Sequence, residues 1–133
     1  MSSEAHVAIA HEADIVTARQ KGRELATRAG FASSDATLVA TAISEVARNI
    51  VAYAERGEIL LELVQQNGRR GILIVARDEG PGIPDVALAM TDGYSTGRSL
   101  GLGLPGARRL MDDFEISSDV GRGTTVTMCK WVI

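Results

Sequence analysis

The sequence predicts an α+β two-layer α/β sandwich: a mixed, mainly antiparallel sheet with its helices gathered on one face. Three observations lead there. Two helix-spaced segments follow one another near the N-terminus with no strand between them. Two hairpin signals, Asn67-Gly68 and Gly121-Arg122-Gly123, each join a pair of strand-like segments. The regular strand–helix alternation of a parallel sheet is missing. With 133 residues, the chain is expected to fold as a single domain over 1–133, large enough for a core without disulfide staples.

Residues 5–10 (AHVAIA) form a short edge strand in this reading. From 12 to 29 the spacing of Ile15, Ala18, Gly22, Leu25, Ala26 and Ala29 is helical, and Gly30 supplies a stop. Ser33 or Ser34 can cap a second helix reaching about Ala54, with Leu38, Ala42, Val46, Ile50 and Tyr53 on one face and Gly57 as its end. Segments 58–66 and 70–77 are rich in branched apolar residues and read as a hairpin. A short helix is expected over 84–91 with Pro84 in its first turn. Four glycines and two serines over 92–103 suit a loop. A third main helix should run from Leu102 or Leu104 to Asp112, and two closing strands over 114–119 and 123–132. Alternation turns Ile59, Leu61 and Leu63 toward the helices if Leu60 and Val64 face away. With Leu73 or Val75 and Trp131, that outer face is expected either to receive a protein partner or a second copy of the chain as a homodimer, or to be covered by the N-terminal segment.

Composition narrows the function. The apolar share is 45%, the charged share 23% and the net charge −3, with acids and bases interspersed. No basic stripe is present to follow a nucleic-acid backbone, so no nucleic acid is expected as a partner. No apolar run approaches the roughly 18 residues that suggest a membrane span. The polar N-terminus has no signal-peptide pattern, and the lone Cys129 fits a reducing compartment, so the expected location is cytoplasmic. His6 and His11 have no acid–cysteine cluster around them to build a zinc site.

Four motifs carry the chemistry. The first is Glu45 and Asn49, four residues apart and therefore on one helix face, beside Val46 and Ile50. An inward carboxylate and amide need partners, since an unsatisfied buried polar group costs about 1–3 kcal/mol. One outlet is an internal hydrogen bond. The other is a metal–nucleotide site, with Asn49 Oδ1 as a neutral ligand to Mg²⁺ and Glu45 as a proton acceptor. The second motif is Arg77 to Pro84, RDEGPGIP, in which Asp78 stands at the mouth of the apolar strand 72–75. Its carboxylate is an acceptor suited to an exocyclic amino group such as adenine's, and Gly80 and Gly82 let backbone lie against a ring. Third, Gly101-Leu102-Gly103-Leu104-Pro105-Gly106 opens a helix, where successive backbone N–H groups can hold phosphates. Fourth, Gly121-Arg122-Gly123-Thr124-Thr125 is a hairpin turn whose threonine can reach the base-binding acid.

In this order the four motifs resemble the N, G1, G2 and G3 boxes of the GHKL ATPase superfamily (gyrase, Hsp90, histidine kinase, MutL), over about 38–128. The resemblance implies the Bergerat fold, ATP and Mg²⁺ as cofactors, and Asn49 as the metal-holding residue. It implies Glu45 as the catalytic base. ATP contacts are implied from Asn49, Asp78, Gly80, Gly82, Ile83, Ser95, Thr96, Gly101, Leu102, Gly103, Leu104 and Thr124. Small size, SEVARNI and Tyr94-Ser95-Thr96 look like the bacterial anti-sigma-type serine/threonine kinases, nearest to the switch kinases of stressosome-type partner-switching modules. That likeness rests on DIVTAR (14–19), TAISEVARNI (41–50), DEGPGIPD (78–85), DGYSTG (92–97), GLGLPGARRLMDDF (101–114) and KW (130–131). It implies phosphorylation of a STAS-domain scaffold protein in a stress-response module, and activation of a PP2C-type phosphatase by the released kinase. The alternatives are an anti-sigma factor that sequesters a sigma factor, or a non-catalytic nucleotide-dependent regulator. Two departures stand out. The chain lacks a phosphorylatable histidine on a helical dimerisation segment, and Arg98 stands where related kinases often carry lysine.

Overall fold

The computed structural model describes residues 3–82, 90 and 103–133. Strand β1 (Glu4–Ile9) is followed by helices α1 (Glu12–Ala29) and α2 (Ser33–Tyr53), then by strands β2 (Gly57–Gln66) and β3 (Arg69–Asp78). Helix α3 (Gly103–Leu110) and strands β4 (Asp113–Asp119) and β5 (Gly123–Trp131) complete the order. The expected short helix over 84–91 and loop over 92–103 fall mainly in 83–89 and 91–102, outside the described residues.

The five strands form one sheet in the order β1-β2-β3-β5-β4. The sheet had been expected to be mixed, but all four pairings are antiparallel. Asn67 and Gly68 both have positive φ, 53° and 78°, as a two-residue hairpin turn with the twist of its strands requires. The resulting register places Leu61 opposite Ile74 and Ile74 opposite Met128. All three are fully buried, with Ile59, Ile72, Val126 and Ile9 beside them. Leu60, Val64, Leu73, Val75 and Trp131 take the opposite parity and are half-buried on the face away from the helices.

Helix α1 buries Ile15, Ala18, Gly22, Leu25, Ala26 and Ala29, the stripe that its spacing predicts. Its start is fixed by Asp14, whose Oδ2 accepts the N–H of Ala10 at 2.8 Å and of His11 at 2.9 Å. Those two backbone donors hold the Asp14 carboxyl below its ordinary range. The first residue of DIVTAR thus has a structural role at the start of α1. At the other end Gly30 is left-handed, and Phe31 N–H bonds Ala26 O at 3.1 Å while Gly30 N–H bonds Thr27 O at 3.1 Å, a Schellman closure.

Helix α2 departs from expectation in three places. Its N-cap is Ala32, so Ser33 is already helical and neither serine caps it through its side chain. Tyr53 is 56% exposed and Leu38 only half-buried, because the buried stripe runs instead through Ala36, Val39, Ile43, Val46 and Ile50. Gly57 does not end the helix. Ala54 caps it, and Gly57 opens β2 against Ile50 and Asp78. No helix among the described residues is long and apolar enough to cross a membrane.

Candidate functional site

The site begins where the inward rows of the sheet run out of apolar residues. Along β3 the buried row Ile72, Ile74 and Ala76 ends on Asp78. Along β5 the row Met128, Val126 ends on Thr124, and along β4 Phe114, Ile116 ends on Ser118. Register sets these ends side by side: Gly57 opposite Asp78, Asp78 opposite Thr124, and Thr124 opposite Ser118. One transverse row of four residues therefore crosses the end of the sheet on the helix side.

Hydrogen bonds fix that row. Asp78 Oδ1 accepts the N–H of Gly80 at 2.9 Å and of Thr124 at 3.3 Å. Among the described residues, both N–H donors that reach this carboxylate fall on Oδ1, which leaves Oδ2 to a ligand donor. Thr124 is 6% exposed, and its Oγ1 lies 2.9 Å from Ser118 Oγ. Ser118 also donates to Gly123 O at 3.2 Å.

Glycines let the surrounding backbone close on Asp78. A Cβ on Gly80 would lie 2.6 Å from Ala54 Cβ at the end of α2. Gly82 has φ +80°, and a Cβ there would run into the carbonyl of Asp119. Gly121 N–H bonds Pro81 O at 2.8 Å, tying the 79–82 turn to the β4–β5 hairpin. Gly123 has φ +122° and abuts the carbonyl of Asp78, so it is required by this contact as well as by the turn. A cleft of about 470 Å³ opens beside Asp78, lined also by Ala54, Arg56, Gly57, Glu58, Arg77 and Glu79. These glycines are required by the close packing of the protein's own backbone, since a Cβ on Gly80, Gly82 or Gly123 would meet Ala54, Asp119 or Asp78.

Helix α2 supplies the second part. Ile50 and Ala54 touch the Asp78 end through Gly57 and Gly80. Glu45 and Asn49 lie on the preceding turns of the same helix, Glu45 buried at 6% exposure and Asn49 half-buried. Glu45 Oε1 is paired with Arg48 Nη1 at 2.6 Å. Helix α3 packs on α2 and starts at Gly103, with Leu104, Pro105, Gly106 and Ala107 buried. Its C-terminal carbonyl Leu110 O accepts Lys130 Nζ at 3.0 Å.

The structure thus brings Asp78, Gly80, Gly82 and Thr124 together, with Glu45 and Asn49 on the helix that borders them and Gly103 and Leu104 opening α3. Ile83, Ser95, Thr96, Gly101 and Leu102 lie outside the described residues. Sequence reasoning missed Ser118, Gly57 and Arg48 as members of this neighbourhood. The i, i+3 spacing of Glu45 and Arg48 could have found the last.

Comparison with known proteins agrees with this geometry. A family model described as "Histidine kinase-like ATPase domain" matches residues 9–130. The serine/threonine-protein kinase RsbT of Bacillus subtilis (strain 168) is 48% identical over 132 residues, covering 99% of both chains. The anti-sigma F factor of Clostridium novyi (strain NT) is 31% identical over 99 residues, 71% of this chain and 69% of that protein. The solved structure of the mycobacterial sensor histidine kinase MprB superposes with a TM-score of 0.57 over 98% of this chain and 97% of that one. Its 15% identity speaks for the fold alone. The chain belongs to the histidine kinase-like ATPase domain family, in its branch of GHKL-type serine/threonine protein kinases.

Proposed function

We propose that this chain transfers the γ-phosphoryl group of ATP to a serine or threonine of a STAS-domain protein, in the cytoplasm, as the kinase of a bacterial partner-switching stress module. The observation that carries the reading is the buried carboxylate of Glu45 one helical turn from Asn49, in a chain 48% identical to a serine/threonine kinase. In this reading 1–133 acts as one kinase domain.

Each residue has a physical task. Asp78 Oδ2 accepts the exocyclic amino group of adenine, while Thr124 supports that contact and Gly80 and Gly82 admit the ring. Gly103 and Leu104, at the N-terminus of α3, serve the phosphates in this reading, and Gly101, Leu102, Ser95, Thr96 and Ile83 are its further ATP contacts. Asn49 offers a neutral oxygen that fits Mg²⁺, which when bound offsets charge developing on the phosphates. Glu45 takes the proton released as the substrate hydroxyl oxygen bonds to the γ-phosphorus and the bridging bond to ADP breaks. The product carries about −1.5 to −2 added charge, enough to expel a partner from an apolar contact. The released kinase then engages a PP2C-type phosphatase, and the outer sheet face is available for self-association.

Incubation with γ-labelled ATP and candidate STAS proteins tests the transfer. Label on serine or threonine of the STAS protein supports it, and no label with Mg-ATP present contradicts it. A second reading is favoured by the likeness to anti-sigma F factors: sequestration of a sigma factor, with phosphorylation as the off switch. Capture of a sigma factor rather than a phosphatase regulatory domain in a pull-down would select that reading. A purely nucleotide-dependent binder has less in its favour, because such a protein has no need for the Glu45 carboxylate.

A further inference from the structure

We infer that the outer face of the sheet is a docking channel for one amphipathic helix of a partner protein, apolar along the side it buries and basic along both flanks. Strand register draws the channel. Crossing that face from β4 to β2, one row reads Asp113, Cys129, Leu73, Glu62, and the next reads Glu115, Thr127, Val75, Leu60. Acids therefore stand on both bounding strands, with half-buried Leu73 and Val75 and buried Cys129 between them.

The dimensions fit a single helix. Strands lie about 4.8 Å apart, so β2 and β4, three spacings from one another, are separated by about 14 Å. A helix with its side chains is about 10–12 Å across. Trp131 stands at one end of the floor as a fixed anchor. Gly71 lies against its ring, since a Cβ there would come within 2.6 Å of Cε3. Its Nε1 donates to Asp113 Oδ2 at 3.1 Å, and the Arg69 guanidinium is 4.8 Å from the ring centroid. An aromatic side chain held in this way has little freedom left to lose on binding.

Charge selects the occupant. The two arginines of this face are already engaged, Arg77 with Glu58 at 3.3 Å and Arg69 on the Trp131 ring. Among the described residues no basic group pairs with Glu62, Glu115 or Asp119. An apolar strip between acids is complementary to an apolar helical stripe with lysine or arginine on either side. The N-terminal segment does not cover the strip, because residues 4–9 form β1 at the edge of the sheet, beside β2. A second copy of the chain brings the same acids with it and gains less from the flanks than a basic helix does.

The test uses the full chain and two synthetic helical peptides without tryptophan that share one leucine stripe, the first flanked by lysines and the second by glutamates. Binding is followed by calorimetry and by the emission of Trp131, the one tryptophan of the chain, with thermal melts of every variant. The wild type should bind the lysine peptide about tenfold more tightly than the glutamate peptide, and added salt should narrow that preference. Glu62→Lys with Glu115→Lys should reverse it. Glu12→Lys with Glu24→Lys makes the same change of net charge on α1 and should leave the preference in place. Glu115→Gln, a milder change on the edge strand, should narrow it even if the double variant of the face fails to fold. Equal affinity of the wild type for both peptides overturns the inference, as does a reversal produced equally by the α1 variant. Failure to bind either peptide also overturns it, and gives the face to a second copy if the wild type is then a dimer that Leu60→Asp with Val64→Lys dissociates. None of these measurements uses ATP, so their failure leaves the kinase reading standing.

Discussion

Arg48 Nη1 sits 2.6 Å from Glu45 Oε1, so the carboxylate proposed as proton acceptor is already paired, by a neighbour on its own helix. Arg48 is 44% exposed in its side chain and Glu45 7%, which makes the arginine the solvent-facing handle on a buried acid. Removing the arginine leaves that acid without this ion pair. Arg48→Met should cost about 1 kcal/mol, well below the figure for a fully buried pair because solvent screens the exposed partner. Urea midpoints of the two proteins check this.

Glu45 and Asn49 should separate chemistry from binding. Glu45→Ala is expected to slow phosphoryl transfer by about 10²–10⁴-fold with little loss of ATP affinity. Asn49→Ala should instead raise the Mg²⁺ concentration needed for half-maximal rate. Single-turnover kinetics across a Mg²⁺ series distinguish them. Normal transfer by Glu45→Ala would mean that another group handles the proton.

Gly68 and Gly82 share nearly the same φ, +78° and +80°, in different surroundings. Gly68 has open space around it, whereas Gly82 abuts Asp119. Gly68→Ala should therefore cost only the left-handed backbone penalty, about 1–2 kcal/mol, and leave ATP affinity alone. Gly82→Ala should cost more and weaken ATP binding, because the turn must move off the β4–β5 hairpin. Chemical denaturation and nucleotide titration of both variants provide the comparison.

How much of this was legible beforehand depends on range. Local periodicity predicted the whole buried face of α1, and Asn67-Gly68 predicted the hairpin whose register turned Leu60 and Val64 outward. Tyr53 was assigned inward because it continues the period, but Ala54 takes the position against Gly80 at the end of α2, and Tyr53 is exposed. Gly57 read as a helix stop, and its real constraint is Asp78 on the adjoining strand. Asp78, Gly80, Gly82 and Thr124 were visible through motif spacing. Ser118 was not, since its place beside Thr124 exists only through strand register, which no local pattern encodes.

Leu60 and Leu61 test the two faces directly. Leu61 is fully buried against the helices, so Leu61→Asp should destabilise by more than about 3 kcal/mol. Leu60→Asp with Val64→Lys should keep the fold and ATP binding, and should lower self-association in sedimentation velocity. Unfolding of the outer-face double variant would place those residues in the core.

Burial, and secondarily the carboxylates of Asp113 and Asp112, push the Cys129 thiol up to about 11, while Arg69 pulls the other way. At pH 8 the folded protein should react with iodoacetamide about a hundredfold more slowly than the unfolded chain, whose thiol titrates near 9.0. Because the folded value is the higher, this group's contribution to stability is complete below pH 9 and is lost as pH rises toward 11. Cys129→Ala should flatten that alkaline fall in a melt series from pH 8 to 11.

The anchored carboxylate at the end of β3 is the centre of the account, and Asp78→Asn probes it most directly. The variant keeps Oδ1 for Gly80 N–H and Thr124 N–H, so its melting temperature should stay near that of the wild type. It replaces Oδ2 with an NH₂ donor facing the base amino group and removes a charge-assisted bond worth about 1.5–3 kcal/mol. Titration with a fluorescent ATP analogue should show affinity reduced by about tenfold to a hundredfold, with the fold intact. Unchanged affinity in a folded Asp78→Asn protein would contradict the nucleotide site and the function built on it.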